Sequence, residues 1–445
     1  MITRNLWVFL HRWTGLLMAG FLIVVGATGS LLAFMPELNR LLAPQIYPGP
    51  REGKEMALGE LARRAETLVP AGQATQVSYV QPGTARVSMS PRPLPLIPDY
   101  SVVYADPVAG DEYVLGARPE PPPLGFDHLY LDPVTGEELG RLDKQPPITS
   151  GAGVMPFIDR LHFRLAMGEW GGWILGIVAV VWTIDCFNGL YLTLPISTGK
   201  GNRKSWLARW KPAWLVKLSA SFYRVNLDLH RAFGLWLFAV LLLFGWSSVY
   251  FNMRSVYDPV MRAVFDFETP PTMAHGRSMG ASHKAPKEPM SFERAQALGE
   301  SLMAEQAREG GFTVERPFRL TYQEGPNSFT YSVRSSRDVG LKFGRSSVVF
   351  DASTGAFRSL RLPTGQHSGN TFTTWIVEMH LANLFGLWFR IFVCVLGVGI
   401  VMLSVTGVYI WWKKRSARVA SAAARAPAKA PAVSIPAMAF VEKSH

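Results

Sequence analysis

Four long apolar runs, separated by longer polar segments, dominate this chain of 445 residues. They cover residues 15–34, 172–194, 233–251 and 384–412. An α-helix rises about 1.5 Å per residue and the hydrocarbon core of a bilayer is about 30 Å thick, so about 20 apolar residues cross it. The pattern therefore predicts an α-helical integral membrane protein with four transmembrane helices.

The two long polar segments between these runs share a second pattern. Each opens with apolar residues at helical spacing, at 57–69 in the first segment and at 291–306 in the second. Alternating apolar and polar residues follow in each, which is typical of strands with one buried face. We therefore expect an α+β domain in each polar segment.

Each polar segment also ends in the same motif, Asp-x-x-Thr-Gly. The motif begins at Asp132 in the first segment and at Asp351 in the second. An Asp side chain caps such a turn and the Gly supplies a positive φ. We interpret both carboxylates as structural rather than catalytic.

Two spacing patterns recur in the two halves of the chain. A histidine followed by Gly at +6, Trp at +8, Gly at +27 and Tyr at +29 occurs at His162 and again at His380. A histidine followed by Arg at +1, Gly at +4 and Gly at +15 occurs at His11 and again at His230. These matching offsets indicate an internal duplication.

Charge placement orients the chain in the membrane. Of all residues 48% are hydrophobic and only 18% are charged, and the net charge is +12. Residues 197–224 carry seven Lys or Arg and no Asp or Glu, and further basic residues follow the last apolar run. The positive-inside rule places these flanks and both termini in the cytoplasm. Because the basic charge lies at membrane flanks, we expect lipid as a partner and no nucleic acid.

The predicted organisation follows from these boundaries. It comprises transmembrane helices at 9–36, 159–195, 229–255 and 376–412, external domains at 37–158 and 256–375, a basic cytoplasmic loop at 196–228 and a disordered cytoplasmic tail at 413–445.

Each predicted span carries one histidine at an end. The orientation places His11 and His230 at the cytoplasmic surface and His162 and His380 at the external surface. Neutral imidazole is a good ligand of haem iron, so the two levels could hold two haems. Two histidine ligands leave no open position on the iron, which favours electron transfer over oxygen chemistry.

A zinc or copper site is the competing interpretation of these histidines. Zinc favours a close cluster with acidic or thiolate partners, and none is evident beside the four histidines. The two cysteines, Cys186 and Cys394, lie inside apolar runs and are interpreted as small buried hydrophobes. We therefore prefer haem.

Residues near the histidines suit a haem as well. Gly15 and Gly234 lie one helical turn after their histidines and would let a flat macrocycle approach the backbone. The arginines placed to bind haem propionates are Arg12, Arg231, Arg164 and Arg390. Helix packing by glycine and snorkelling by arginine are the structural alternatives.

Asp185 is an acidic residue within the second predicted span, and the matching position in the fourth span is Leu403. A carboxylate in lipid is costly and should face the bundle interior. It either takes part in proton or quinol chemistry or makes an interhelical polar contact.

Several motifs together resemble the PepSY-associated transmembrane family over residues of about 1–415. They are HRWTGL from His11, HRAFGLW from His230, LDPVTGE from Leu131, GLYL from Gly189 and TGVYIWW from Thr406. The resemblance implies four membrane helices and two extracytoplasmic PepSY-like domains. Within the family the chain is most similar to the inner-membrane siderophore reductases that carry two haems.

The resemblance also implies an activity. It suggests an oxidoreductase of the bacterial inner membrane that holds two b-type haems and reduces ferric siderophores in the periplasm. Arg358, Arg361 and His367, with Arg390, are candidates for contact with that substrate. The chain has no Gly-rich dinucleotide fingerprint after a strand, so electrons would come from a separate cytoplasmic reductase or from quinol.

Two other functions remain open at this point. PepSY-like domains can bind peptides or regulate proteases, so the chain could be a non-enzymatic membrane regulator. A transporter is the third possibility, which an internal duplication favours. The apolar runs give no sign of interrupted helices, and this speaks against a transporter.

Overall fold

The computed structural model describes residues 4–94, 103–105, 112–114, 120–196, 205–268 and 288–425. The helices in these ranges are α1 (Arg4–Leu32), α2 (Met35–Leu42), α3 (Leu58–Leu68), α4 (Gly151–Arg164), α5 (Gly168–Thr193), α6 (Trp206–Trp210), α7 (Phe222–Trp236), α8 (Phe238–Asn252), α9 (Arg254–Arg262), α10 (Phe292–Gly310), α11 (Ser368–His380) and α12 (Gly386–Arg425). A 3₁₀ turn, Lys211–Trp214, follows α6.

Three of these helices, α1, α5 and α12, are long and apolar enough to cross a membrane. The third predicted span, 229–255, is the pair α7 and α8, which bends by 69° at Leu237. The expectation of uninterrupted spans is therefore wrong for this one. No proline lies at the bend, so the sequence gives no signal for it.

The predicted second and fourth spans are each divided near their N-terminal ends. Helix α4 ends before α5 begins, and Leu165 and Ala166 between them have φ of 51° and 55°. In the same way α11 ends at His380, and Phe385 precedes α12 with φ of 52°. In both places a glycine with positive φ, Gly168 or Gly386, starts the long helix. The glycine at +6 of the repeated pattern is thus a turn residue.

Helix α12 is longer than the predicted fourth span. It continues through Arg425, into the first part of the segment that we expect to be a disordered tail. Lys, Arg and Ala dominate this extension and are strong helix formers. Residues 426–445 of that predicted tail, like residues 197–204 of the basic loop, lie outside the described residues.

The strands of both polar segments join in one antiparallel sheet. Its strands are β1 (Gly72–Gln81), β2 (Thr84–Pro91), β5 (His128–Leu131), β6 (Glu138–Leu142), β7 (Val314–Gln323), β8 (Ser328–Ser335), β9 (Ser346–Asp351) and β10 (Phe357–Arg361). The order is β10-β9-β8-β7-β1-β2-β5-β6, so β1 of the first segment pairs with β7 of the second. A separate hairpin contains β3 (Val103–Ala105) and β4 (Glu112–Val114).

The two predicted amphipathic helices are confirmed as α3 and α10. Both pack on the sheet, and their apolar faces contribute Leu58, Leu61 and Met303 to a core with almost no solvent exposure. The two helices also contact one another, because the backbone nitrogen of Gly59 donates to Oε1 of Gln296 at 2.7 Å. The two polar segments therefore share one sheet and one hydrophobic core, and they do not form two separate domains with a sheet each.

The structural role of the two turn motifs is confirmed. Oδ1 of Asp132 accepts hydrogen bonds from the backbone nitrogens of Val134 and Thr135 at 2.8 and 3.1 Å. Asp351 accepts from Ser353 and Thr354 in the same way. The glycines that close the turns have φ of 70° and 79°.

The membrane helices approach most closely at two glycines. A Cβ at Gly26 of α1 would lie 2.8 Å from the carbonyl oxygen of Gly397 in α12 and 3.2 Å from Val401. The Ser30 hydroxyl one turn later donates to the carbonyl oxygen of Cys394 at 2.9 Å. Missing side chains at this crossing let the two backbones touch, as is common between membrane helices.

We therefore expect Gly26→Val to separate α1 from α12 and to cost about 1–3 kcal/mol of stability, the usual range for overpacking. Gly20→Val is the matched control, because a Cβ on that residue of the same helix meets nothing within 4 Å. The measurement is the thermal midpoint of the detergent-purified protein. Equal midpoints for the two variants would contradict this account of the crossing.

A second prediction concerns pH. Burial lowers the pKa of His128 on β5 from 6.5 to about 4. The unfolded chain therefore binds more protons than the folded chain between these values. The stability that neutral His128 contributes is complete above about pH 6.5 and is lost as pH falls toward 4. Thermal midpoints should fall less steeply over this window in His128→Gln than in the wild type, and equal slopes would refute the assignment.

Candidate functional site

The four repeated histidines form two pairs. The rings of His11 and His230 have centroids 6.2 Å apart and planes inclined by 62°. The rings of His162 and His380 have centroids 6.3 Å apart and planes inclined by 68°. We call the first the distal pair and the second, which lies near the sheet, the sheet-side pair. Both pairs contact α1, the distal pair through His11 and the sheet-side pair through Thr28, which lies beside His162. His11 and Thr28 are 17 residues apart, which is about 25 Å along the helix.

In the distal pair, α5 holds His11. Nδ1 of His11 lies 2.9 Å from Oδ2 of Asp185. The other carboxylate oxygen accepts from the side-chain nitrogen of Asn188 at 3.3 Å, and Asn188 also donates to the carbonyl oxygen of Trp7. A Cβ at Gly189 would lie 3.5 Å from the His11 ring, in ordinary van der Waals contact with it.

The second member of the distal pair, His230 on α7, is held by α12. Its Nδ1 lies 3.0 Å from the carbonyl oxygen of Leu403 and 3.1 Å from Oγ1 of Thr406. A Cβ at Gly407 would lie 3.2 Å from the ring. The two histidines of the pair are thus held by equivalent positions of α5 and α12, which supply different chemical groups.

The sheet-side pair is held by hydroxyl groups. Nδ1 of His162 lies 3.0 Å from Oγ1 of Thr28, and Nδ1 of His380 lies 2.6 Å from Oγ of Ser247. Thr28 and Ser247 are 219 residues apart, the same offset that relates His11 to His230. Phe244 stacks on the His380 ring at 4.7 Å.

The hydrogen bonds fix the tautomer of all four rings. The carboxylate of Asp185 and the carbonyl of Leu403 can only accept, so Nδ1 of His11 and of His230 must carry the proton. The hydroxyls of Thr28 and Ser247 also lie within hydrogen-bond distance of the carbonyls of Val24 and Phe244, so they can give their own protons there and accept from histidine. Nε2 is then the unprotonated nitrogen in every neutral ring and is free to bind a metal.

The paired rings also fit the group that we expect between them. Two imidazoles that bind one metal from opposite sides, with metal–nitrogen bonds of about 2.0–2.1 Å, have centroids about 6 Å apart. A Cβ built on Gly15 or Gly234 meets nothing within 4 Å, so both glycines border open space. The described residues contain no cluster of three or more His, Cys, Asp or Glu able to hold a metal, so these ligands occur as pairs.

The four candidate propionate ligands differ in their surroundings. Arg231 donates to Asp228 at 2.9 Å and to the carbonyl oxygen of Pro212. Arg390 forms a two-pronged ion pair with Glu37, and its hydrogen bonds hold the pKa of Glu37 below the ordinary value of 4.5. Within the described ranges Arg12 and Arg164 have no carboxylate partner.

A buried carboxylate links the sheet to the sheet-side pair. Glu378 lies two residues before His380, is only 1% exposed, and accepts from the side chains of Arg345 and Asn383. Asn383 in turn accepts at Oδ1 from the backbone nitrogen of Lys342 at 2.9 Å. The loop before β9 is thereby fixed to the junction between α11 and α12.

The candidate substrate residues do not form one cluster. Arg358 stabilises the turn between β9 and β10, since it donates to Asp351 at 2.7 Å. Arg361, at the end of β10, is exposed. Nδ1 of His367 lies 2.6 Å from Asp266, at the rim of an apolar groove of about 1000 Å³ that extends along α8 and α11 to Met379.

Sequence reasoning missed the hydroxyl partners of the sheet-side pair. The signal was present, because Thr28 and Ser247 obey the offset of the repeated pattern. The sequence also predicted that Asp185 faces the bundle interior, but it did not identify His11 as the partner of Asp185.

Comparison with known families finds a match over most of the chain. Residues 8–414 match the family model described as the PepSY-associated TM region. A search of curated proteins finds no match.

Proposed function

The chain belongs to the PepSY-associated TM region family, and we propose that it is a two-haem electron-transfer protein that reduces ferric siderophores on the outer side of the bacterial inner membrane. The observation that carries this proposal is the arrangement of the four histidines. They form two pairs with a common tautomer, and each pair leaves two Nε2 atoms for one metal.

His11 and His230 would hold one b-type haem, and His162 and His380 would hold the other. A haem bound in this way supplies a one-electron Fe(III)/Fe(II) couple. With two histidines for each haem, such a group would serve electron transfer rather than oxygen chemistry. Arg12 and Arg164, which have no carboxylate partner in the described part of the chain, are the preferred propionate ligands.

We place the substrate on the side of the membrane where the sheet lies. The positive-inside rule, applied to the basic flanks, supports a periplasmic position for the sheet. A ferric siderophore takes up one electron, and the hard oxygen donors of the chelator bind the resulting Fe(II) less well, so iron is released. Arg361 and His367 are the candidate contacts that remain accessible, and a cytoplasmic reductase or quinol would supply the electrons.

A non-enzymatic regulator is the second candidate function. The sheet ends in two outer strands, β6 and β10, and an extended peptide could add to either edge through main-chain hydrogen bonds. This function requires no cofactor, so the two proposals differ in a property that is visible on purification. Its test is the first measurement below.

We expect the detergent-purified protein to be red and to contain two b-type haems per chain, seen in a reduced-minus-oxidised absorption spectrum. His162→Ala and His380→Ala should each lower the content to one haem per chain, because each removes a ligand of the same pair. The control is His445→Ala, which changes a histidine outside the repeated pattern. A colourless protein from iron-replete cells would favour the regulator, and two haems in either variant would refute the pairing.

The substrate assignment is tested separately. Arg361→Glu should raise the apparent KM for a ferric siderophore several-fold, because an exposed positive charge that attracts an acidic chelate is reversed. The matched control is Arg308→Glu, which reverses an exposed charge on α10. The measurement is the rate of Fe(II) release with chemically reduced protein. Unchanged KM in Arg361→Glu would remove this residue from the substrate site.

A further inference from the structure

The four Nδ1 atoms donate to acceptors of unequal charge. His11 donates to a carboxylate, whereas His230, His162 and His380 donate to a backbone carbonyl or to a hydroxyl. We propose that Asp185 lowers the reduction potential at the distal pair below that at the sheet-side pair, so that electrons run toward the sheet. This inference rests on the proposed two-haem function.

The physical reason is ligand basicity. A carboxylate that accepts from Nδ1 draws the proton toward itself and makes Nε2 a stronger electron donor. A stronger donor stabilises the more highly charged Fe(III) relative to Fe(II), which lowers the potential. Thr28 and Ser247 carry no charge, so they orient the sheet-side rings without this effect.

The surroundings of Asp185 strengthen its influence. The residue is 8% exposed, and Asn188 holds the carboxylate oxygen that His11 does not use. Within the described ranges its one ion-pair partner is His11, so no Lys or Arg neutralises the charge. A charge in such an apolar setting acts more strongly than the same charge at a surface.

Holding the ring does not by itself require a carboxylate. At the matching position of α12 the backbone carbonyl of Leu403, helped by Thr406, positions His230 with the same Nδ1 atom. A leucine therefore suffices to hold a histidine in this geometry. The additional property that Asp185 brings to the distal pair is negative charge.

The transfer between the two pairs involves one electron. One electron would leave Fe(II) held by the distal pair, which would become Fe(III), and would convert Fe(III) held by the sheet-side pair to Fe(II). No bond is broken, and no proton moves, because each Nδ1–H remains hydrogen bonded to its acceptor.

The test is a spectroelectrochemical titration of the full chain. The wild type should show two midpoint potentials, and the lower one should remain in His162→Ala, in which the distal haem alone is left. Asp185→Asn should raise the lower potential so that the Fe(III)/Fe(II) ratio at a given potential changes at least tenfold, which is 59 mV for one electron. The higher potential should not move.

Two further variants complete the design. Asp185→Leu imitates the second half of the chain and should bring the two potentials together. Asp351→Asn is the control, since Asp351 is a carboxylate of the sheet that pairs with Arg358 instead of a histidine. It should leave both potentials unchanged.

The outcomes separate this inference from the function on which it rests. Two haems whose potentials ignore Asp185→Asn and Asp185→Leu would overturn the role of Asp185 and leave the proposed function intact. A wild type without haem would overturn the function itself. If neither Asp185 variant folds, the His162→Ala titration still decides, because a retained higher potential contradicts the inference.

Discussion

The arrangement of the membrane helices depends on one requirement, that an imidazole between apolar helices must hydrogen bond through one ring nitrogen. In all four cases the nitrogen is Nδ1 and the acceptor lies in the same half of the chain as the histidine. Each pair, by contrast, combines one histidine from each half. Each half therefore orients its own rings, and a metal held between the two Nε2 atoms of a pair would add a further link between the halves.

The helices and strands of this structure were far easier to predict than the neighbours with which each one pairs or packs. Apolar runs and helical spacing identified α1, α5, α12, α3 and α10, because these patterns are local to the element. The joining of β1 to β7 could not be predicted, since alternation marks a strand as half buried without saying which strand lies beside it. The bend at Leu237 was not predicted either, because no proline lies there and Gly234, three residues earlier, also fits an uninterrupted membrane helix.

The candidate site follows the same division. Matching offsets and the positive-inside rule paired His11 with His230 and His162 with His380, and the rings lie together in those pairs. The acceptors were harder to find. A Thr or Ser in a membrane helix usually bonds to the carbonyl one turn earlier, and Thr28 and Ser247 both bond to a carbonyl of their own helix. Their second role, as acceptors from histidine, depends on the positions of α4 and α11, which carry His162 and His380.

The pairing of β1 with β7 has a consequence for biogenesis. Gln76 and Thr321, which meet across these strands, are 245 residues apart. At about 5–20 residues per second, synthesis of that interval takes about 10–50 s. During this time β1 presents an unpaired edge of backbone N–H and C=O groups, the kind of edge that recruits foreign strands. The nascent first segment should therefore depend on a chaperone that covers this edge, or on rapid synthesis of the second segment, until its own partner strand arrives.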